Sequence, residues 1–199
     1  MTNSGTSPEP RERRLDARRN LAAILESART TLAEHPNASM QEVAENAGLH
    51  RATVHRHFAS RDDLLRAVRE RALDEALTAL EAARCEEGPA RDALRRATAG
   101  VLEAADRYRL VRVTAVLDPD SASSQRRMRE ILIALFERGQ RDGDMRRDLA
   151  APQLATAWGG LIMGFMARLI DGSTTVDDAA GFVVQVLLGP EPAGRVPVI

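Results

Sequence analysis

His50, His55 and His57 lie close together in a chain that has four histidines, and clustered imidazoles can hold a metal ion. Their spacing argues against it. If this stretch is helical, residues two and five apart do not share a face, whereas metal pairs on a helix stand three or four apart. No metal or other cofactor is expected. Nucleophilic catalysis has no better footing. The serines fall in predicted caps, loops and the N-terminal stretch, and none is paired by a motif with a base. The acidic pairs Asp62-Asp63 and Asp177-Asp178 fall at predicted helix starts, where the helix dipole accounts for them. Cys85 is the one cysteine, which leaves no intrachain disulfide and no cysteine-based zinc site. Its neighbours Glu86 and Glu87 would raise the thiol pKa, which favours an unreactive thiol over a redox sensor. The sequence carries no catalytic set, and the chain is not expected to be an enzyme.

What the histidines share is a stretch rich in hydrogen-bond donors, SMQEVAENAGLHRATVHRHFASR, from Ser39 to Arg61. Met40, Val43, Ala44 and Ala47 recur at helical spacing, and Ser39 with Glu42 makes a capping box. Gly48 can take the left-handed conformation that ends such a helix, with Leu49 packing back onto it. A second helix follows from about Arg51 to Phe58, apolar at Ala52, Val54 and Phe58 and polar at Arg51, Thr53, His55, Arg56 and His57. So short a helix must rest on the one before it. Helix, glycine turn, helix with a polar outer face is the helix-turn-helix plan, whose second helix enters a DNA major groove.

The run Val43-Ala44-Glu45-Asn46-Ala47-Gly48-Leu49, then Arg51 to Phe58, then Ser60-Arg61-Asp62-Asp63-Leu64-Leu65, resembles the DNA-binding module of the TetR (tetracycline repressor) family. The resemblance is specific over about Leu21 to Val68 and architectural beyond it. Three positions depart from the family pattern. His50 stands where a Ser is usual and weakens the cap of the recognition helix. His55 replaces a Tyr, and Arg61 a Lys, at positions that commonly touch phosphate. The resemblance implies a DNA face of Ser39, Arg51, Ala52, Thr53, His55, Arg56, His57 and Arg61. Arg51 and Ala52 would lie nearest base edges, with Thr53, His55 and Arg61 nearer phosphate.

The 199 residues suffice for a sizeable core. Hydrophobic content is 44% but aromatic content only 3%, so Leu, Ala, Val, Ile and Met must fill it, which favours an all-α protein. All 28 basic residues are Arg. The net charge of −1 hides an asymmetry: from Arg11 to Arg71 there are 12 Arg against nine acidic residues, and from Ala72 onward 16 against 19. A basic head on an acidic body suits contact with phosphate at one end. No secretory signal is read at the polar N-terminus. The most apolar stretch, Leu154 to Ile170, is short for a membrane span and contains Arg168; it reads as a buried helix of a cytoplasmic protein.

The expected organisation is a disordered basic tail over residues 1–14, a helix-turn-helix domain over 15–62, a helical ligand-binding and dimerisation domain over 63–190, and a loose end over 191–199. Arg11, Arg13 and Arg14 could reach a minor groove or simply be solvated. About nine helices are predicted. The first runs from about Asp16 to Glu34, with Leu21, Ile24, Leu25, Ala28 and Leu32 as one stripe. The fourth starts at Ser60 with Asp63 in the capping-box position and ends near Arg84. Then come Pro89 to Ala105, Tyr108 to Leu117, Ser123 to Gln140, Pro152 to before Gly172, and Thr175 to Leu188.

The last two of these helices are apolar nearly all round and must be buried on several sides. The family resemblance implies that they form a four-helix interface between two subunits. Trp158, Leu161, Ile162, Phe165, Val183, Val184 and Leu187 are the expected dimer residues, with the glycines allowing close approach. It also implies a ligand cavity among the middle helices. Tyr108, Arg112, Met128, Leu132, Phe136, Met163 and Met166 are its candidate lining, with ordinary core packing as the alternative for each. The reading as a whole is a homodimeric DNA-binding transcriptional regulator, a repressor released from a palindromic operator by a small molecule. The alternatives are a helical small-molecule carrier and a protein-interaction module without operator binding.

Overall fold

The computed structural model describes residues 10–108 and 123–189. Among the described residues there are eight helices and no strand: α1 (Pro10–Glu34), α2 (Met40–Asn46), α3 (Arg51–His57), α4 (Arg61–Ala82), α5 (Ala90–Arg107), α6 (Ser123–Asp142), α7 (Ala151–Ile170) and α8 (Val176–Leu188). The protein is all-α, with a helix-turn-helix near its N-terminus. The helix expected over Tyr108 to Leu117 falls outside the described residues apart from Tyr108, as do residues 1–9 and the C-terminal end from Pro190.

The first helix is longer than its apolar stripe. It begins at Pro10, so residues 10–14, expected as tail, are helical. A proline fits a first turn because its missing N–H has no partner there. The Arg and Glu residues that follow are good helix formers without an apolar face.

Packing divides the chain into two units, Met1–Arg69 and Glu70–Ile199, and the division falls inside α4. The first unit buries Ile24, Ala28 and Leu32 of α1 with Val43 and Ala44 of α2, Val54 of α3, and Leu64 and Val68 of α4. Two polar links fix α1 to α2: Ser27 Oγ donates to the Val43 carbonyl at 2.8 Å, and Asn46 Nδ2 donates to Thr31 Oγ1 at 2.9 Å. Ser27 and Thr31 are buried, so each needs the partner it has.

In the second unit α5 packs against α6, α7 and α8. Leu94, Leu102, Leu135, Phe136, Leu154 and Val183 are fully buried there; each such side chain contributes about 1.5–3 kcal/mol. The α4–α5 connector is held by two arginines. Arg96 donates to the carbonyls of Ala83, Arg84 and Glu87, and Arg138 to those of Cys85 and Gly88. Cys85 is buried in that connector; burial first, then Glu86, pushes its thiol pKa up.

Helix α7 corrects one expectation. By length and composition it could cross a membrane, yet only 28% of its most apolar window is buried. It is therefore not simply a core helix. One face, with Ala155, Trp158, Ile162 and Leu169, lies in the core, while Ala157, Gly160, Met163, Gly164 and Ala167 are exposed.

Candidate nucleic-acid interface

The helix-turn-helix is built by local chemistry. Ser39 is extended at φ −81° and ψ 163°, and its hydroxyl accepts the Glu42 amide. The Glu42 carboxylate in turn accepts the Ser39 amide at 2.7 Å. These hydrogen bonds, the backbone one foremost, hold the Glu42 carboxyl below its ordinary range. At the other end of α2, Gly48 stands at φ +66°. The Leu49 amide reaches the Ala44 carbonyl at 2.9 Å and the Gly48 amide the Glu45 carbonyl at 3.0 Å. This pair of bonds is a Schellman ending, and it turns the chain sharply into α3.

His50 stands at the N-cap just before α3, and its side chain makes no capping bond. One face is anchored by Val54 and by Phe58 just beyond it, both buried. Arg51, Ala52, His55 and Arg56 are exposed, while Thr53 and His57 are half-buried at the flanks. Helical spacing thus gathers two arginines and a histidine on the outer surface of a helix fixed from beneath. Arg51 Nε donates to His55 Nε2 at 3.2 Å. Among the described residues no three His, Cys, Asp or Glu side chains converge to hold a metal.

Arg61, expected near phosphate, is turned elsewhere. Its Nε donates to the Ala38 carbonyl at 3.1 Å and one Nη to the Pro36 carbonyl at 2.7 Å. It staples the start of α4 to the α1–α2 loop. Ser39 is exposed beside that loop, but its hydroxyl is engaged with Glu42.

Among the described residues, the expected ligand residues lie at different depths. Leu132 and Phe136 are buried in the core of the second unit, Met128 and Met166 are half-buried against it, and Met163 is exposed. Tyr108 is buried, with its hydroxyl donating to Glu75 Oε1 at 2.7 Å, and Arg112 lies outside the described residues. A cleft bounded by Ala105, Asp106, Met166, Leu169 and Ile170 has a volume of about 10 Å³, scarcely enough for one water. Leu132 and Phe136 are oriented inward by the same stripe that suggested a lining.

The seven expected dimer residues divide between the core and its flank. Trp158, Ile162, Val183, Val184 and Leu187 are buried within their own chain; Leu161 and Phe165 are half-buried. On α7 and α8 the large apolar side chains left exposed are Met163 and Ile170, then Phe182 and Val186, the last two 50% and 42% exposed. Phe182 meets Phe165 edge to face with ring centroids 5.5 Å apart. Sequence reasoning also missed Thr98, which accepts the Trp158 indole N–H. An isolated threonine in an apolar stripe was its only trace.

A capped helix, a glycine turn and a second helix with two arginines on its outer face make up a helix-turn-helix. Residues 24–68, from within α1 to within α4, match the family model described as "Bacterial regulatory proteins, tetR family". A curated relative, the HTH-type transcriptional repressor LfrR of Mycolicibacterium smegmatis, is 41% identical over 85 residues. That match covers 43% of this chain and 45% of the relative, so it spans less than half of either protein. The crystal structure of LfrR in complex with proflavine has a TM-score of 0.67 at 26% identity, covering 83% of this chain and 92% of that one. The TetR family regulator PfmR from Thermus thermophilus shares the fold with a TM-score of 0.68 at 23% identity, covering 85% and 99%.

Proposed function

We propose that this protein is a DNA-binding transcriptional regulator, a repressor that sits on a palindromic operator and leaves it when a small molecule binds. The observation that carries the reading is α3, a short helix held from beneath by Val54 and Phe58 with Arg51, His55 and Arg56 on its open face. A helix so placed can enter a major groove N-terminus first, and its arginines supply both phosphate attraction and base contacts. Residues 15–62 would form the DNA-binding domain and residues 63–190 the domain for effector and subunit contact. Ala52, Thr53 and His57 complete the proposed DNA face. The protein would act in the cytoplasm.

A homodimer is part of this reading. Phe182 and Val186 stand one turn apart on α8, and Phe182 meets Phe165 of α7 edge to face. An added Cβ at Gly159, Gly160 or Gly164 would meet nothing within 4 Å in its own chain, which leaves room for another helix. Two copies about a two-fold axis would cover each other's apolar face and place two recognition helices about 34–36 Å apart. The effector is supported by kinship with the proflavine-bound LfrR structure.

The test is fluorescence anisotropy with duplexes taken from the DNA flanking this protein's own gene. Binding to one of them well above an unrelated duplex, at the same salt, is the expected result. Indifference to every duplex would favour the protein-interaction module or the small-molecule carrier.

A further inference from the structure

We propose that His55 is a positioning residue for sequence readout, holding the Arg51 guanidinium so that its outer edge meets a guanine. The inference rests on the reading of α3 as the DNA-facing helix. Arg51 is the first residue of α3 and His55 lies one turn later on the same exposed face. Arg51 Nε donates to His55 Nε2 at 3.2 Å. Among the described residues neither side chain makes another hydrogen bond or ion pair. The acceptor role puts the proton of the neutral imidazole on Nδ1.

The consequence for recognition follows from the donor inventory. A guanidinium has five N–H donors. With Nε–H given to His55, the remaining four are on the two Nη atoms, and two of these point outward in parallel. A parallel pair of donors needs two adjacent acceptors. In the major groove guanine offers N7 and O6; adenine offers an acceptor beside a donor, cytosine a donor, and thymine one acceptor beside a methyl group. The end-on edge of Arg51 therefore selects guanine. An arginine already held by its neighbour also loses less side-chain freedom on binding than a free one.

The other two histidines of the stretch cannot take this part. His50 precedes the helix, and His57 is half-buried beside Phe58 with ring centroids 6.5 Å apart. His55 thus does something different from the direct phosphate contact implied for its position by family resemblance.

The experiment is selection of bound duplexes from a randomised pool by the full-length protein, followed by affinity measurements on single base-pair changes of the selected site. Wild-type protein is expected to select a guanine in each half-site. Arg51→Ala should lose about 5- to 150-fold of discrimination at that base pair. His55→Phe, which keeps a ring but has no acceptor, should lose about 2- to 10-fold at the same base pair. His55→Gln restores an acceptor and should recover the preference. The double variant Arg51→Ala/His55→Phe should discriminate no worse there than Arg51→Ala alone. His55 is exposed, and helical circular dichroism verifies that its variants stay folded. Full guanine preference in His55→Phe, or failure of His55→Gln to recover it, overturns the positioning role. Undiminished preference in Arg51→Ala overturns the readout itself. A wild-type protein that enriches no sequence fails before any variant is made, and overturns the DNA-binding reading beneath both.

Discussion

Trp158 of α7 donates its indole N–H to Thr98 Oγ1 of α5 at 3.0 Å, with both residues buried. The same hydroxyl donates onward to the Leu94 carbonyl at 2.7 Å. One polar chain thus crosses the core of the second unit and sets the rotation of α7 against α5. Replacing Thr98 by Val keeps the shape but leaves the indole donor buried without a partner, at a cost of about 1–3 kcal/mol. Trp158 is the one tryptophan, so its fluorescence follows urea unfolding directly. A Thr98→Val variant as stable as the parent would show that the hydrogen bond contributes nothing.

Tyr108 gives a second reading of the same unit. Its hydroxyl donates to Glu75 Oε1, and burial first, then that carboxylate, pushes its pKa up to about 12. In an unfolded chain a phenol titrates near pH 10. The folded state therefore keeps the proton longer. The stability linked to Tyr108 is fully present below about pH 10 and is lost as pH rises through about 12. As the chain has one tyrosine, tyrosinate absorbance reports it alone. The folded protein should titrate well above the urea-unfolded chain, and Glu75→Gln should lower the folded midpoint. Equal midpoints in folded and unfolded protein would contradict this.

Arg61 bears on how the DNA-binding unit holds together. Since its guanidinium donates to the Pro36 and Ala38 carbonyls, Arg61→Ala should lower stability by about 1–3 kcal/mol. Thermal unfolding checks this. An unchanged melting temperature together with a weakened salt dependence of duplex binding would return Arg61 to the phosphate-contacting role.

How far the sequence could be read follows from where its signals are local. The Ser39–Glu42 capping box and the positive φ at Gly48 depend on residues within a turn of each other, so they were legible in advance. The direction in which an apolar stripe faces was not. Trp158, Ile162, Val183 and Leu187 have the periodicity of an interface and also that of a core, and they are core. Which of the two holds depends on α5, far away in the chain. The bonds of Arg61 were not legible either, because the carbonyls it reaches lie 23 and 25 residues earlier. The extension of α1 to Pro10 went unread because an amphipathic stripe marks only the buried part of a helix.

The proposed subunit contact turns on Phe182. With half of its surface exposed next to Val186, Phe182→Glu should leave the protomer folded and separate the subunits. Val184→Glu should instead unfold the domain, because Val184 is buried in its own chain and an unpaired carboxylate there is costly. Sedimentation and circular dichroism distinguish the two variants. A Phe182→Glu protein that remains dimeric would place the contact on another face.

The central claim is that α3 brings this chain to DNA through its arginines. The direct measurement is duplex affinity of the full-length protein across a series of salt concentrations. The logarithm of affinity should fall linearly with the logarithm of salt concentration, and Arg56→Ala on the exposed face of α3 should flatten the slope by about one unit per protomer bound. An affinity that does not change with salt, or a slope untouched by Arg56→Ala and Arg51→Ala alike, would contradict it.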